Sequence, residues 1–419
     1  MSPSHGTARR ALCGAILSSL LVLLSACSNS GISGPGGGAA TSGSPSAPAP
    51  RTVVIGTNPQ TAALDPATHT LYADDAPENL TDGEVSVINA STCNARQASG
   101  CGINTPEVQV GYRPGTIAVD QVTDTIYVVN SADNTVSVIN GATCNALNTS
   151  GCSHRPPTVK VGSNPVDLSV DQATDTVYVA NWGTGSGTTV SVIDGRTCNG
   201  QVTSGCGQTP ATVAIGTAPA GVVVDEPAGT VYAATVAPSG AEAVWVINGA
   251  TCNATITSGC GQKPASVTVG AGSANYNVAF AIDQATQTLC VANWRDNTLS
   301  VIDTATCNAT TTSGCAQTPH AAQVGSGPDG IALDLATDTL YVANVTGATV
   351  SVLDAATCNA TVSSGCGTQR SRSLRTGQSP QWVTVDQATD TLYVPNGNAG
   401  NMSVLNGATC NASVTSACN

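Results

Sequence analysis

Short apolar segments separated by turn residues recur throughout residues 51–419, and no window shows a sustained 3.6-residue apolar period. One copy of the pattern contains Val324-Gly325, IALD at 331–334, TLYVAN at 339–344 and TVSVLD at 349–354. The longer segments have four to six residues, are rich in Val, Ile and Tyr, and are bounded by Gly, Asp, Asn or Pro. This pattern predicts short β-strands joined by tight turns.

Paired cysteines mark seven copies of this unit. The two cysteines of each pair are eight residues apart, and the first members of successive pairs are 51 to 55 residues apart. The pairs are Cys93 with Cys101, Cys144 with Cys152, Cys198 with Cys206, Cys252 with Cys260, Cys307 with Cys315, Cys358 with Cys366, and Cys410 with Cys418. Four strands in each unit of about 50 residues, repeated seven times, predict an all-β, seven-bladed β-propeller of four-stranded antiparallel blades.

The two ends of the repeat region predict how the ring closes. The last unit has strand segments at 382–386, 391–396 and 401–406 but no outer strand after Cys418. The region begins with TVVIG at 52–56, which matches the outer strand of the other units. We therefore expect residues 52–56 to complete the last blade and to protect its edge from intermolecular pairing.

The repeated core of this unit resembles the YVTN family of β-propeller repeats. The resemblance rests on Tyr127–Asn130 with VSVIN at 136–140, Tyr178–Asn181 with VSVID at 190–194, and Tyr341–Asn344 with VSVLD at 350–354. It covers residues 51–419, which is nearly the whole predicted mature chain, but the unit is near 50 residues instead of 40 and carries the added cysteine pairs. The resemblance implies a propeller of the kind found in secreted and surface-layer proteins, and it indicates function only weakly.

The first fifty residues have the features of an export segment. Arg9 and Arg10 precede a 16-residue apolar run at 11–26, which is shorter than the roughly 20 residues needed to span a bilayer. The run ends Leu24-Ser25-Ala26-Cys27, which resembles the lipobox of bacterial lipoproteins. The resemblance implies a signal peptide at 1–26, lipidation of Cys27 and attachment to a membrane facing outside the cytoplasm. An ordinary signal peptide followed by a chance cysteine is the alternative.

Residues 27–50 then form a Gly/Ser/Pro-rich linker, and residues 51–419 form the propeller. The whole chain has 26 acidic and 13 basic residues, with a formal net charge of −13. Such a charge repels phosphate backbones, so we expect no nucleic-acid partner.

Fourteen cysteines in an exported protein predict seven local disulfides between residues i and i+8. Zinc binding is the alternative, but Cys-x₇-Cys is not a zinc spacing and most pairs have no accompanying histidine. Cys290 stands where the other six units have tyrosine. We interpret it as a buried, unreactive thiol, with a redox role as the alternative.

No sequence motif indicates a catalytic, metal or cofactor site. The three histidines of the predicted mature chain, His69, His154 and His320, belong to different units. The recurring Asp-x-x-Thr-Asp-Thr motif, as at Asp120–Thr125, fits either a hairpin turn or calcium sites, and we favour the turn. The asparagine that ends each YVAN segment is likewise interpreted as a turn residue.

Residues that differ between the repeats indicate a binding surface, because a common fold does not require them. The loops with the sequence Gly-x-x-Pro and the loops after the YVAN segments meet at one end of the predicted propeller. Three of the four tryptophans occur there, together with tyrosines and arginines, which recognition sites favour. The candidate ligand-binding residues are Tyr112, Arg113, Trp182, Tyr276, Trp294, Arg295 and Trp382. Packing of the loop tryptophans against neighbouring blades is the alternative interpretation.

These observations favour a non-enzymatic, lipid-anchored propeller that binds or scaffolds a protein, glycan or cell-wall partner and needs no cofactor. An enzyme of the lyase or lactonase type, with chemistry at the channel mouth, is a second hypothesis. A calcium-stabilised surface-layer component is the third.

Overall fold

The computed structural model describes residues 51–77, 82–102, 105–236, 241–271, 278–366 and 372–419. Cys27 and the predicted signal peptide and linker, residues 1–50, lie outside the described residues. Twenty-eight strands of this described chain form seven sheets, and each sheet has four antiparallel strands. The sheets are the blades of a seven-bladed β-propeller, which confirms the predicted fold class.

Within each blade the strands follow one another from the innermost to the outermost. Blades 1 and 2 contain β2 (Ala62–Asp65), β3 (Thr70–Asp75), β4 (Asp82–Asn89), β5 (Glu107–Tyr112), β6 (Pro114–Asp120), β7 (Thr125–Asn130), β8 (Thr135–Asn140) and β9 (Thr158–Lys160). Blades 3 and 4 contain β10 (Pro165–Asp171), β11 (Thr176–Asn181), β12 (Thr189–Asp194), β13 (Ala211–Ala214), β14 (Pro219–Asp225), β15 (Thr230–Val236), β16 (Ala241–Asn248) and β17 (Ala265–Ala271).

The remaining blades repeat the same order. Blades 5 and 6 contain β18 (Phe280–Asp283), β19 (Thr288–Asn293), β20 (Thr298–Asp303), β21 (His320–Gln323), β22 (Pro328–Asp334), β23 (Thr339–Asn344), β24 (Thr349–Asp354) and β25 (Arg372–Arg375). Blade 7 contains β26 (Thr384–Asp386), β27 (Thr391–Asn396), β28 (Asn401–Asn406) and β1 (Arg51–Val54). Three 3₁₀-helices follow second or third strands, at Gly183–Gly185, Gly397–Ala399 and Gly407–Thr409. No helix in the described part of the chain is long and apolar enough to cross a membrane.

The first strand of the chain closes the ring, as the sequence predicts. β1 pairs antiparallel with β28, with Val53 opposite Met402. The strand ends at Val54, two residues earlier than expected, although the amide of Ile55 still donates to the Gly400 carbonyl oxygen at 3.3 Å. Val53 and Ile55 are buried in the core between blades 7 and 1. The start of this region is therefore held by the end of the chain.

The hydrophobic core lies between blades and not on one side of a single sheet. Each apolar cluster combines the second and third strands of one blade with the inner strands and a disulfide of the next blade. One such cluster contains Tyr178, Val192, Val231, Ile247 and the Cys252–Cys260 disulfide. Because each blade is covered on both faces, adjacent positions along its central strands are buried together. This explains why the strands read as apolar runs instead of strict alternations.

A tyrosine in the second strand joins each of six blades to the next blade. The hydroxyl of Tyr178 donates to the carbonyl oxygen of Cys252 at 2.7 Å. Equivalent bonds of 2.7–3.1 Å link Tyr72 to Cys144, Tyr127 to Cys198, Tyr232 to Cys307, Tyr341 to Cys410 and Tyr393 to Cys93. Burial is the main cause that raises the pKa of these tyrosines above the ordinary value, so the hydroxyl keeps its proton and remains a donor.

Cys290 occupies the tyrosine position of blade 5 and is the free cysteine of the described chain. It is buried, and burial followed by the charge of Asp283 raises the pKa of its thiol to about 12. The thiol is therefore protonated at neutral pH and is a poor nucleophile. This agrees with the interpretation of Cys290 as an unreactive core residue.

All seven predicted disulfides are present, and each closes the loop between the third and the outer strand of a blade. Their Cα–Cα distances are 4.7 to 5.1 Å. The second cysteine of each pair is bonded to the cysteine eight residues before it, as the spacing predicts. These bonds are Cys93 to Cys101, Cys144 to Cys152, Cys198 to Cys206, Cys252 to Cys260, Cys307 to Cys315, Cys358 to Cys366, and Cys410 to Cys418.

The disulfides have a structural role and are separate from the predicted ligand-binding surface. Both cysteines of a pair contribute to the apolar cluster between two blades, as Cys101 does with Cys93 and Cys152 does with Cys144. Because their sulfur atoms are bonded to each other, none of the fourteen is available to bind zinc. Seven disulfides indicate folding in an oxidising environment.

The Asp-x-x-Thr-Asp-Thr motif forms a hairpin turn that also contacts the next blade. In blade 2, Asp120 Oδ1 accepts from the amide of Val122 at 3.0 Å, and Thr123 Oγ1 donates to Asp120 Oδ2 at 2.8 Å. Thr125 Oγ1 then accepts from the amide of Gly200 in blade 3 at 2.8 Å. The second aspartate, Asp124, has a φ of 48°, a left-handed conformation that Asp and Asn tolerate. The turn interpretation thus accounts for both aspartates.

Candidate functional site

The two ends of the propeller have different roles in the repeat. The lower face consists of the turns between first and second strands and the disulfide loops. The upper face consists of the Gly-x-x-Pro loops before the inner strands and the loops between second and third strands. In blade 2 the register places Pro114 and Thr135 beside Asn130, so both kinds of upper loop meet at that end.

The upper face contains a polar cavity of about 570 Å³. Blades 1, 2, 3, 6 and 7 contribute to it. The lining residues are Asn58, Gln60, Arg113, Pro114, Gly115, Val129, Ser131, Asn164, Pro165, Val166, Trp182, Thr184, Asp329, Gln381 and Asn398. Because the inner strands surround the axis of a propeller, this cavity is the mouth of the central channel.

Two positions of the Gly-x-x-Pro loop supply much of the lining. The residue immediately before the proline provides Asn58, Arg113 and Asn164. Arg113 and Asn164 have φ values of 52° and 45°, and the residues at this position in blades 4, 6 and 7 also have a positive φ. This left-handed residue bends the chain over the top of the inner strand, which brings its side chain to the cavity in blades 2 and 3.

The residue immediately after the proline provides the second set. In blades 6, 7 and 1 this residue is Asp329, Gln381 and Gln60, and in blades 2 and 3 it is Gly115 and Val166. Consecutive blades therefore place polar groups along one arc of the channel mouth and small or apolar groups along the other. The propeller fold needs no polar residue at this position, since blade 4 has alanine there.

Of the predicted ligand-binding residues, Arg113 and Trp182 line the cavity. Arg113 is exposed, and its carbonyl oxygen accepts from the amide and the hydroxyl of Ser131 at 3.0 Å, which fixes the loop. Trp182 follows β11, is half-buried, and packs against the cores on both sides of blade 4. It therefore provides a supported aromatic wall in blade 3.

Four other predicted residues lie on the upper face outside the cavity lining. Tyr112 ends β5 and is 41% exposed, and Arg295 is exposed in the loop after β19. Trp294 packs over Gly327, where an added Cβ would lie 3.2 Å from Trp294 Cζ2. Trp382 packs against the core that includes residues of blades 5 and 6. For these two tryptophans the structure matches the alternative of packing against neighbouring blades.

Tyr276, the seventh predicted residue, lies outside the described residues. The three histidines are not part of the cavity lining: His69 is in the β2–β3 turn, His154 follows a disulfide, and His320 begins β21. Across the described ranges, no group of three or more His, Cys, Asp or Glu side chains is arranged to hold a metal ion.

Asp329 is the unusual member of the cavity lining. The residue is 5% exposed, and within the described chain Oδ1 has no hydrogen-bond donor. Burial alone raises the pKa of this carboxyl group to about 8. A buried carboxyl oxygen without a donor destabilises the fold, so stability alone does not explain an aspartate at this position.

Two other buried aspartates each have one carboxyl oxygen with structural partners, although Asp74 Oδ2, like Asp329 Oδ1, has no hydrogen-bond partner in the described chain. Asp74 Oδ1 accepts from the amides of Thr61 at 2.5 Å and Gln60 at 3.0 Å, and burial raises its pKa to about 8. Asp167 Oδ2 accepts from the amide of Val222 at 2.7 Å, and burial raises its pKa to about 7. Both carboxyl groups thereby fix the backbone of inner strands or of the loops that lead into them.

The sequence-based prediction of the site did not include Asp329, Gln381, Gln60 and the asparagines of the cavity. That prediction relied on aromatic residues and arginines in the upper loops. A stronger signal was available: alignment of the seven units on the Gly-x-x-Pro proline shows polar residues at a position that is small or apolar in other units.

Comparisons with known proteins support the fold. Hydrazine synthase from Kuenenia stuttgartiensis aligns with a TM-score of 0.61 and 17% identity, over 84% of this chain and 97% of that chain. The β-propeller domain of Cps50 (Swd1) from Myceliophteria thermophila aligns with a TM-score of 0.58 and 9% identity, also over 84% and 97%. No family model and no curated protein sequence matches this chain. At these identities the likeness concerns architecture, and function has to be argued from the site.

Proposed function

We propose that the protein is a lipid-anchored binding module outside the cytoplasm, and that it binds a polar group of a protein, glycan or cell-wall partner at the upper mouth of its channel. Cys27 carries the lipid, and residues 28–50 are the tether between membrane and propeller. The YVTN-like repeats supply a rigid scaffold, and the upper loops supply specificity.

The observation that carries this proposal is the composition of the 570 Å³ cavity. Its polar arc breaks the sevenfold repeat where the fold tolerates glycine, valine or alanine. The cavity combines amide groups, an arginine, a buried carboxyl group and an aromatic wall. Concave sites with a few convergent polar groups and an aromatic surface suit ligands that must be oriented as well as buried.

The location rests on two independent features of the chain. Seven disulfides are typical of proteins that fold outside the reducing cytoplasm. The segment Leu24–Cys27 resembles a lipobox. Stable anchoring by lipid takes two or more acyl chains, which lipoprotein processing supplies and a single chain would not.

The anchor is tested with the full chain and a Cys27→Ala variant, each expressed in a bacterium that processes lipoproteins. We expect the wild type to have an intact mass raised by its acyl chains and to remain in the membrane fraction. The variant should lose both properties. Equal membrane retention of an unlipidated wild type would contradict the anchor while leaving the binding site untouched.

The binding site is tested by retention of the propeller on isolated cell walls from the same host, compared with retention on protease-treated walls. Arg113→Ala should weaken retention because Arg113 lines the cavity, and Arg295→Ala is the matched control because it removes an exposed arginine of the same face. Loss of retention on protease-treated walls would assign the partner as a protein. Equal behaviour of both variants and the wild type would contradict a site at the channel mouth.

A further inference from the structure

The upper cavity contains a carboxyl group for which the fold gives no structural reason. Asp329 is the second residue of the inner strand β22 of blade 6, and Asp74 and Asp167 show how this protein uses buried carboxyl groups to hold the backbone. In the described chain Asp329 Oδ1 has no such donor, although the residue is only 5% exposed. A carboxyl group in this state fits a site that is completed by a donor from a ligand.

The groups around the cavity indicate which donor fits. Gln381 and Gln60 stand in the next two blades and offer amide oxygens to further N–H groups. Trp182 lies in blade 3, three blades from blade 6 in a ring of seven, so it lines the part of the mouth opposite the blade of Asp329. An aromatic face opposite a carboxylate is suited to a cation and to the alkyl or sugar carbons that carry it.

The charges of the cavity lining favour a cationic ligand over a neutral one. Arg113, the basic residue among the described lining residues, stands in blade 2, three blades away from Asp329 in the other direction. A bound cation compensates a desolvated carboxylate, whereas a hydroxyl group supplies one hydrogen bond and no charge. The acidic protein, with net charge −13, also attracts cations to its surface.

We propose that the channel mouth recognises a primary ammonium group, which Asp329 binds as a carboxylate while Gln381 and Gln60 accept the remaining N–H bonds. This inference rests on the proposed function and names the ligand class for that site. The ligand is thus an amine-bearing sugar, amino acid or peptide segment, and its acetylated counterpart is rejected.

Binding of the ammonium group is coupled to release of a proton. Before binding, Asp329 is a neutral acid at pH 7, because burial raises its pKa to about 8. When R–NH₃⁺ binds, the carboxyl O–H bond breaks, its proton passes to solvent, and the carboxylate pairs with the ammonium group. The titratable side chains on strands packed against β22 are Asp283, Cys290, Tyr341 and Asp386, and none of them contributes to this shift.

The experiment measures the affinity of the disulfide-bonded propeller for two pairs of probes by calorimetry. One pair is 6-aminohexanoate and 6-acetamidohexanoate, and the other is D-glucosamine and N-acetyl-D-glucosamine. We expect the amine of each pair to bind at least about tenfold more tightly than its acetylated partner, because acetylation removes the charge. For 6-aminohexanoate, the dissociation constant should fall about tenfold per pH unit between about pH 5.5 and 7.5, with one proton released per ligand.

Asp329→Asn should abolish both the preference for amines and the pH dependence. Asp133→Asn is the control, because Asp133 is a partly exposed carboxylate of the same face that does not line the cavity. Thermal unfolding of both variants establishes that they fold. Asp329→Asn should unfold at a temperature equal to or above that of the wild type, since it removes an unsatisfied acid.

The outcomes separate this inference from the proposed function. Equal binding of amine and acetylated probes, or full amine binding by a folded Asp329→Asn variant, would overturn ammonium recognition. If cell-wall retention still depended on Arg113 in that case, the binding module would stand with a different ligand class. If neither probe pair binds and Arg113→Ala is retained like the wild type, both proposals fail.

Discussion

The lower and upper faces of this propeller use the same repeat in opposite ways. On the lower face, the Thr125-type contact to the next blade occurs at all seven interfaces and the tyrosine contact at six. On the upper face, the residue after the Gly-x-x-Pro proline changes from glycine to valine, glutamine or aspartate. Groups that hold the ring together therefore recur in nearly every blade, whereas positions that vary between blades are available for binding.

Buried polar atoms without a partner occur on both faces of the described chain, as Asp175 Oδ1 in a lower turn shows, but Asp329 is the one among them that lines the cavity. The repeated tyrosine and threonine hydroxyls of the lower face have partners in the neighbouring blade. The upper cavity contains a buried carboxyl oxygen, Oδ1 of Asp329, without a donor in the described chain. Proteins retain such destabilising groups at functional sites, where a ligand supplies the missing interaction.

The largest expected effect comes from opening the ring on which both faces depend. Val53→Asp places a charge in the core between blades 7 and 1, where Val53 is 2% exposed. We expect a loss of more than about 3 kcal/mol of unfolding free energy, measured by urea denaturation, because the charge has no partner there. Val54→Asp is the matched control on the same strand, since Val54 is 82% exposed. A similar stability of the two variants would show that β1 does not clasp the ring.

Removal of one disulfide should have a smaller effect. For the double variant with Cys198→Ala and Cys206→Ala we expect a loss of about 2–3 kcal/mol, because the reduced chain regains the entropy of an open loop in the unfolded state. Arg113→Ala on the upper face should change the unfolding free energy by less than about 0.5 kcal/mol. Urea midpoints of the two variants check both values. A larger loss in Arg113→Ala would mean that the upper loops also hold the ring.

The unfolding free energy should depend on pH in part through Asp329 in the upper cavity. Burial raises the pKa of Asp329 to about 8 in the folded protein, so the native state keeps a proton that the unfolded state releases at about pH 4. Stability is therefore full below about pH 4 and falls as pH rises to about 8, by about 1.4 kcal/mol per pH unit for this group. Asp74 and Asp167 act with the same sign.

Thermal unfolding of the wild type and Asp329→Asn between about pH 5 and 8 measures this contribution. The variant should lose stability less steeply than the wild type as pH rises. Parallel curves for the two proteins would show that Asp329 is already ionised and paired in the native state.

A single contact on the lower face should have the smallest effect. Tyr178→Phe removes the donor to the Cys252 carbonyl oxygen and leaves that buried acceptor unpaired, so we expect a loss of about 1–2 kcal/mol. Tyr112→Phe is the control, because this exposed tyrosine lies on the upper face and its expected change is below about 0.5 kcal/mol. Denaturation at neutral pH measures both. An equal change of the unfolding free energy in the two variants would show that the tyrosine hydroxyl does not stabilise the contact between blades.

The architecture could be predicted because its signals are local and repeated. Strand segments, turn residues and cysteine spacing each recur seven times, and a missing outer strand at one end matches a spare strand at the other. Cys290 could also be interpreted correctly, because its position in the repeat is the position of six buried tyrosines. Because the unit is repeated, a correct assignment of strands and turns in one copy applies to every blade.

The candidate site was predicted only in part. The topology of the repeat identifies the upper face, where Arg113 and Trp182 line the cavity, but it does not give the distance of a side chain from the channel axis. Trp294 and Trp382 share that face and pack against blades, while Asp329 reaches the cavity from an inner strand.

Blade number, ring closure and disulfide pairing could be derived from the amino-acid sequence alone, because these depend on spacing along the chain. The three-dimensional arrangement of the blades was needed to see which side chains meet at the channel mouth and that the buried carboxyl group among them has an oxygen without a donor. Both depend on contacts between residues that come from different blades, and no local pattern in the chain records them.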